Sequence, residues 1–393
     1  MGNKLKYNMH LKRISFLVLM IALVACGSQI MPNEDGKIVH VKVFHEVDKY
    51  GGWPANWGIW NWGNEILVGF TKADHEDKSG HTFNEQSSLA MLARSTDGGI
   101  TWSLEDAYER GITESTVEHN LGARSIPARE LTEEIDFSHP DLAVTFRMTD
   151  MYVGPSSFYY SYDRGKNWQG AFILPVEFTD RNPAGIVTRT EYFVDGPKTL
   201  TAFFTVGFKE GDKNWREVAC VRTSDGGLTW NFLSWVGEPE INSIMPSSVR
   251  LDDSRILTLI RRTSPPRMVS FLSEDNGYTW KQLEDAVKVD ANGNPPALLK
   301  LKDGRLCLVY GIRRAETMTD GIGMYVSFSS DEGKSWDEPV MIRGGDGANW
   351  DIGYPRSVEL PDGKVVAIYY YNNVDTGDKF RYIAATIFDP TDM

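Results

Sequence analysis

The residues best suited to chemistry fall in a few short clusters. Asp351 and Tyr354 lie three apart in GANWDIGYPRSVEL, with Arg356 just beyond. Arg189 and Glu191 share the run RTEY, and His139-Pro140-Asp141 leads into an apolar stretch that ends at Arg147. Asp74, His75 and His81 lie in KADHEDKSGHTF. A pair of carboxylates can divide proton donation and charge stabilisation between them, the arrangement that hydrolyses a glycosidic bond. Glu191 and Asp351 are the leading pair, with Asp141 in reserve. A phenol such as Tyr354 becomes a nucleophile only when a base or cations act on a group whose usual pKa is near ~10. Trp53, Trp57, Trp60 and Trp62 crowd KYGGWPANWGIWNWG, and a sugar's apolar face can stack on such rings. Trp53 is the one expected to reach a ligand, and Asn56 can bond a hydroxyl. Taken singly, each acid is more readily explained as a member of a structural ion pair, and most of the tryptophans as fillers of a core. His75 and His81 read as solvated loop residues.

Clusters so far apart in sequence need a frame that gathers them. Five copies of one phrase supply it: STDGGITW at 95–102, SYDRGKNW at 161–168, TSDGGLTW at 223–230, SEDNGYTW at 273–280 and SSDEGKSW at 329–336. Each reads as a hairpin turn. Its Asp accepts backbone N–H bonds across the turn, its Gly takes a backbone shape closed to other residues, and its Trp starts the next strand. Repeats 50–66 residues apart indicate an array of similar units, here propeller blades. β-rich runs broken by DG, DD or GP turns precede each copy. A sixth unit at 355–390 carries no copy and lacks an outer strand, whereas KIVHVKVF at 37–44 is a strand without a sheet. The economical solution is an all-β, six-bladed β-propeller of four-stranded blades at 37–393, closed by its N-terminal strand so that no edge is left open. Loops at the starts of the inner strands would then meet around the axis. The charged stretch 106–137, the longest without a clear strand pattern, reads as an insertion over one face that forms a rim for the pocket.

The phrase resembles the Asp-box of the sialidase superfamily, in which it lies at the blade periphery; the five Asp and five Trp therefore read as structural. The resemblance implies that Tyr354 falls on the family's nucleophilic tyrosine and Arg261 on one of three arginines that clamp a substrate carboxylate, a fork matched to a fork. It also puts the general acid, an aspartate, in the region of Asp74. The sequence departs from the family pattern elsewhere. Met245 stands where the glutamate that activates the tyrosine belongs, Trp53-Pro54 where the first arginine does, and Gly293-Asn294-Pro295-Pro296 where the third does.

Composition narrows the remaining choices. Lys4, Lys6, Lys12 and Arg13 precede the apolar run 14–25, which is too short for a comfortable membrane span and reads as a signal peptide over 1–25. Leu23-Val24-Ala25-Cys26 matches a bacterial lipobox, implying a lipid on Cys26, a tether over 26–36 and a place in the bacterial cell envelope. The four leader cations come off a total of 41, so net charge falls from −13 to −17 against 54 acids. That disfavours nucleic acid and acidic membrane surfaces as partners and leaves room for an anionic glycan in a locally basic pocket. Membrane contact is expected through the anchor alone, and the chain is expected to be a monomer. Cys220 and Cys307 lie in apolar strand-like runs and read as buried spectators. No CxxC, HExxH, EF-hand or phosphate-loop pattern is present, so no metal or cofactor is expected.

Three functions are compatible with this set. The first is an exo-acting glycoside hydrolase of sialidase type that removes a terminal, acidic sugar. Arg261, Arg189, Arg147, Arg356, His139, Trp53 and Asn56 would hold the substrate, and Tyr354, Glu191, Asp351, Asp141 and Asp74 would act on it. The second is a polysaccharide lyase using His139, Tyr354 and Arg356 beside a uronic carboxylate. The third is a glycan-binding lipoprotein without turnover.

Overall fold

The computed structural model describes residues 30–32, 37–113, 125–178, 180–263, 265–287, 294–314 and 321–393. The expected signal peptide, Cys26 and most of the expected tether lie outside them. Six sheets, antiparallel but for a short parallel pairing of Val176–Glu177 with Trp230 and Asn231 in the third, follow one another along the chain as six blades. Blade 4 shows the plan: Ser243–Arg250, Ile256–Thr263, Pro266–Ser273 and Lys281–Gln282 pair in that order. Blade 5 repeats it with Ala297–Lys300, Leu306–Ile312, Gly323–Ser329 and Val340–Gly344.

Closure runs as the sequence requires. In blade 6 the strands Gly353–Glu359, Val365–Asn373 and Asp378–Phe388 are completed by Ile38–Phe44, which pairs antiparallel with Asp378–Phe388 from Ile38 opposite Phe388 onward. Ile30–Pro32, within the expected tether, adds a fifth strand by pairing with Val39–Val41.

Blades 1 to 3 depart from four equal strands. In blade 1 the inner strand is split into Lys49–Gly52 and Ile59–Trp62, both paired with Glu65–Asp74, around a short 3-10 turn Pro54–Asn56. Blade 3 is likewise split, into Gly185–Ile186 and Tyr192–Gly196, both paired with Thr199–Glu210. Each split leaves a run of residues outside the two strand segments at the axis, 53–58 and 187–191. Blade 2 has three strands among the described residues: Ala143–Met148, Ser156–Ser161 and Gln169–Ile173.

Register tells the two ends of the blades apart. In blade 4, Ser273 at the start of the Asp-box pairs with Ile256, the first residue of the second strand. At the other end of that strand Arg261 pairs with Ile244, near the start of the inner strand. The Asp-boxes therefore occupy one face, and the starts of the inner strands the opposite face. In blade 2, Ser161 at the box pairs with Ala143. Ala143–Met148 is thus a second strand, not an inner one, and its start lies on the box face.

Apolar residues on both faces of the sheets build six cores, one between each pair of adjacent blades. Phe146 and Phe158 of blade 2 meet Phe204 and Trp230 of blade 3, for example, and Leu257 of blade 4 meets Leu308 and Tyr310 of blade 5. The box tryptophans fill such gaps: Trp168 packs with Trp57, Trp60 and Leu67 across the blade 1–2 seam. Cys220 and Cys307 are buried in two of these cores, where burial pushes the Cys220 thiol up to about 12 and raises that of Cys307 further.

The five boxes share one geometry. A Ser or Thr hydroxyl donates to the Asp, Oδ1 accepts the N–H four residues on at 2.8–3.0 Å, and Oδ2 accepts a side-chain donor at 2.6 Å. Burial opposes ionisation here, but these bonds outweigh it and hold all five carboxyls below the usual aspartate range. The described parts of 106–137 do not rim the pocket as expected. Trp168 donates its N–H to Arg110 O, and Ile135 donates to Gly226 O beside the third box, so this segment follows the box side of blades 2 and 3.

Candidate active site

Three inner strands carry the same break. Trp53, Met245 and Tyr354 have φ of 57°, 54° and 54°, a left-handed backbone that costs an ordinary residue about 1–3 kcal/mol. Each precedes a proline, Pro54, Pro246 or Pro355, which has no N–H for the ladder. The pairing slips at two of them, between Ile244 and Ser247 and between Gly353 and Arg356. A bulge of this kind re-aims a side chain. Here it turns Met245 and Tyr354 toward each other, with Ala55 and Ile244 in the same cluster. Asn294 fixes the sixth-blade break by accepting the Tyr354 N–H at 3.0 Å. A Cβ at Gly353 would come within 1.9 Å of the same Asn294 oxygen, so this position must be glycine.

Tyr354 is ringed by guanidinium groups. Arg261, at the end of the second strand of blade 4, donates Nη1 to the phenol oxygen at 2.8 Å. Arg313, at the end of the second strand of blade 5, lies 5.3 Å from the centre of the phenol ring. Burial would raise the phenol pKa; the positive charges of Arg261, Arg313 and Arg189 more than offset it and bring Tyr354 down to about 8. Arg216 of blade 3 completes the arc, against the exposed ring of Tyr152. Arg216, Arg261 and Arg313 have no carboxylate within ion-pair distance among the described residues. The acids nearby are already committed.

Asp351 is one of these. It is fully buried, and its Oδ1 lies 2.7 Å from both the Tyr370 hydroxyl and His81 Nδ1, while Arg381 Nε donates to Oδ2 at 2.9 Å. Burial opposes its charge, but His81, Arg381 and Tyr370 together keep it below the usual aspartate range. Arg313 donates to Tyr370 at 2.8 Å and to Ile352 O, so one chain of bonds runs Arg313–Tyr370–Asp351–His81. The loop after the first-blade strand Glu65–Asp74 delivers His81, whose ring meets Trp53 edge-on at 5.2 Å and lies 5.6 Å from Trp350. Trp350 is 40% exposed and is the open aromatic surface on this side.

Glu191 is committed as well. Arg356 Nη1 donates to it at 2.8 Å, and the Ser248 N–H donates at 2.6 Å. Burial, the larger influence, lifts the Glu191 carboxyl above its usual range against the pull of Arg356. Arg356 also donates to Ala55 O and Thr190 O, tying blades 6, 3 and 1 together on the axis. Glu191 and Arg356 line both the small hollow under Met245 and a cavity of about 350 Å³ further down, bounded by Trp60, Leu142, Tyr192 and Leu298. The larger space is therefore not beside Tyr354, and its one ion pair is already satisfied.

The sequence candidates divide accordingly. Tyr354, Arg261, Arg189, Asp351, Glu191, Arg356, Trp53 and Asn56 come together at the axis. Several do so as supports: Asn56 Oδ1 accepts Arg189 Nε at 2.7 Å, and Trp53 is only 9% exposed beneath His81. Arg147 is buried with its guanidinium on the Trp57 ring at 3.3 Å and donates to Asn56 O, bracing the Pro54–Asn56 turn. Three candidates lie elsewhere. Asp141 accepts from Arg164 Nε at 2.6 Å and His139 stacks on Tyr162, both on the box face, because the strand they lead is a second strand. Asp74 is exposed and paired with Lys49 at 2.5 Å. The lyase set of His139, Tyr354 and Arg356 is thereby separated. Sequence reasoning set His81 aside as a solvated loop residue, noted Arg313 only at the far end of its hairpin, and passed over Tyr370, Arg381 and Trp350. The recurring Trp-Pro, Met-Pro and Tyr-Pro pairs were the signal available for the inner-strand breaks.

Ring, boxes and guanidinium-lined axis define a propeller of the Asp-box class. The family model described as BNR repeat-like domain matches residues 144–367, and that of the BNR/Asp-box repeat matches 93–104; the chain belongs to the BNR repeat-like family. Comparison with curated proteins gives no match. Among solved structures, a protein of unknown function from Dyadobacter fermentans aligns with TM-score 0.66 at 18% identity, over 92% of this chain and 98% of the other. The NanB sialidase from Streptococcus pneumoniae aligns at 0.57 and 12%, over 89% and 70%. An α-L-arabinofuranosidase from Fusarium graminearum aligns at 0.53 and 13%, over 88% and 98%. At these identities the likeness is one of fold, shared with glycoside hydrolases of differing substrate.

Proposed function

We propose that this chain is an exo-acting glycoside hydrolase that removes a terminal acidic sugar, such as a sialic or uronic acid, from a glycan. The single observation that carries the reading is the phenol of Tyr354 under Arg261 and Arg313, with its pKa near 8. Roughly a tenth of such a phenol is ionised at pH 7, without any carboxylate base at Met245. The phenolate attacks the anomeric carbon or stabilises the positive charge that grows there. Arg261, Arg313 and Arg216 supply donors for the substrate's carboxylate, and Trp350 and Tyr152 supply rings for its apolar edges. Lipidation of Cys26, supported by the lipobox, brings the site to the bacterial cell envelope as a monomer. Labelling with palmitate, lost in Cys26→Ala, checks the anchor.

The test is a panel of 4-methylumbelliferyl glycosides, sialic and uronic acids beside neutral sugars including α-L-arabinofuranose, assayed on purified protein. Turnover of an acidic member, abolished by Tyr354→Phe, is the expected result. Turnover of neutral members alone removes the acidic-sugar reading. Binding without turnover favours the glycan-binding role, and an ultraviolet-absorbing unsaturated product from a uronate polymer favours elimination.

A further inference from the structure

We infer that His81, oriented by Asp351, is the general acid and base of this site. The inference rests on the hydrolase reading above and assigns it the proton donor that Asp74, exposed and paired with Lys49, does not supply. Asp351 is fully buried and ionised, so it accepts hydrogen bonds and donates none. His81 Nδ1, 2.7 Å away, must therefore carry the proton of that contact. The carboxylate is itself held from three directions, by Tyr370, by Arg381 and through its backbone by Asn372 and Asn349. Trp53 fixes the imidazole from the side. With Nδ1 pinned, Nε2 faces away from Asp351 and has no partner among the described residues. The side chain is 34% exposed, whereas Asp351 is 0% exposed, so a substrate can reach the imidazole and not the carboxylate. Trp53 and Tyr370 lie between His81 and Tyr354, with Tyr370 ring-to-ring at 5.9 Å from Tyr354 and at 6.2 Å from Trp53. Nucleophile and imidazole thus belong to one aromatic cluster at the axis.

The proton balance closes. In the first half-reaction the His81 imidazolium gives its Nε2 proton to the glycosidic oxygen. The C–O bond breaks with its electron pair going to that oxygen, and the Tyr354 phenolate forms a bond to the anomeric carbon. In the second half, neutral Nε2 takes a proton from water, the water oxygen bonds to the anomeric carbon, and the tyrosyl C–O pair returns to Tyr354. Phenolate and imidazolium are both restored. Asp351 is a positioning residue in this scheme, because it holds the imidazole and touches no substrate.

A leaving-group series decides the matter, using whichever sugar the panel above identifies. A general acid matters where the departing alcohol is a poor leaving group and little where it leaves unaided, and it is worth about 10²–10⁴ in rate. His81→Ala is expected to lose at least ~100-fold in kcat on the methyl glycoside and less than ~5-fold on the 2,4-dinitrophenyl glycoside. Asp351→Asn is expected to show the same split. Equal losses on both substrates, with Tyr354→Phe still inactive, overturn the acid/base role and leave the hydrolase reading standing. An absence of turnover on every glycoside overturns both. Should either variant fail to fold, long-range proton–nitrogen NMR of the histidine ring in the unmodified protein gives an independent answer. A proton on Nδ1 of His81 is expected, and a neutral ring protonated only on Nε2 overturns the dyad.

Discussion

The two faces of the ring use the same residue types in opposite ways. On the box face each Asp carboxylate is satisfied within an eight-residue phrase, by bonds to residues two to four positions away. On the inner-strand face the bonds span the chain: His81 to Asp351, Arg356 to Glu191, Arg189 to Asn56, and Arg261 to Tyr354. The first kind of contact is complete in each of the five boxes and repeats without change. The second occurs once, leaves Arg261 Nε buried without a partner, and is held by backbone in a costly conformation at three places. Repetition marks what builds the ring, and single contacts between distant blades mark what the ring is for.

Variants at the two faces should therefore separate stability from activity. Tyr354→Phe is expected to lower kcat by ~10³-fold or more while moving Tm by less than about 2 °C, read by parallel kinetics and calorimetry. Arg356→Met leaves Glu191 buried without its cation and is expected to cost about 3–5 kcal/mol in denaturant unfolding. An equal loss from Tyr354→Phe would erase the distinction between axis support and axis chemistry.

Finer effects sharpen the contrast. Because the Tyr354 pKa lies below that of a free phenol, its ionised form is present above about pH 8 and is lost as pH falls through that value. The ascending limb of kcat/KM against pH should therefore fall near 8. In Arg261→Met the limb, and the matching tyrosinate absorbance step that Tyr354→Phe deletes, should move up by ~1–2 pH units. Asp225→Ala, on the box face, is expected to cost about 1–2 kcal/mol of stability with kcat unchanged, measured by urea unfolding beside a rate assay. A change in kcat there would mean that the faces are coupled.

The ring was legible in the sequence because its signals are local. The boxes, the hairpin turns and the orphan strand at 37–44 each carry their meaning in a few residues. So do Tyr354 and Arg261, which sit beside recognisable strand patterns. Asp141 and His139 were misplaced for a physical reason: the same apolar run serves as a first or a second strand, and only pairing to Ser161 decides which end faces the axis. Glu191 and Asp351 were correctly drawn to the axis, but their arginine partners stand 165 and 30 residues away. His81 lay in a polar loop with nothing nearby in sequence to distinguish it from a solvated one, since its partner is 270 residues further on.

The strand that seals the circle has a consequence for how the molecule comes into being. Ile38–Phe44 is made well before Asp378–Phe388, and its inner edge must wait for that segment before it has a neighbour to bond. Arg381, which grips Asp351, arrives on that same late segment. A nascent or clipped chain short of this point carries two raw edges and an unassembled centre, so catalytic competence and protection from aggregation should be acquired together, in one final docking step.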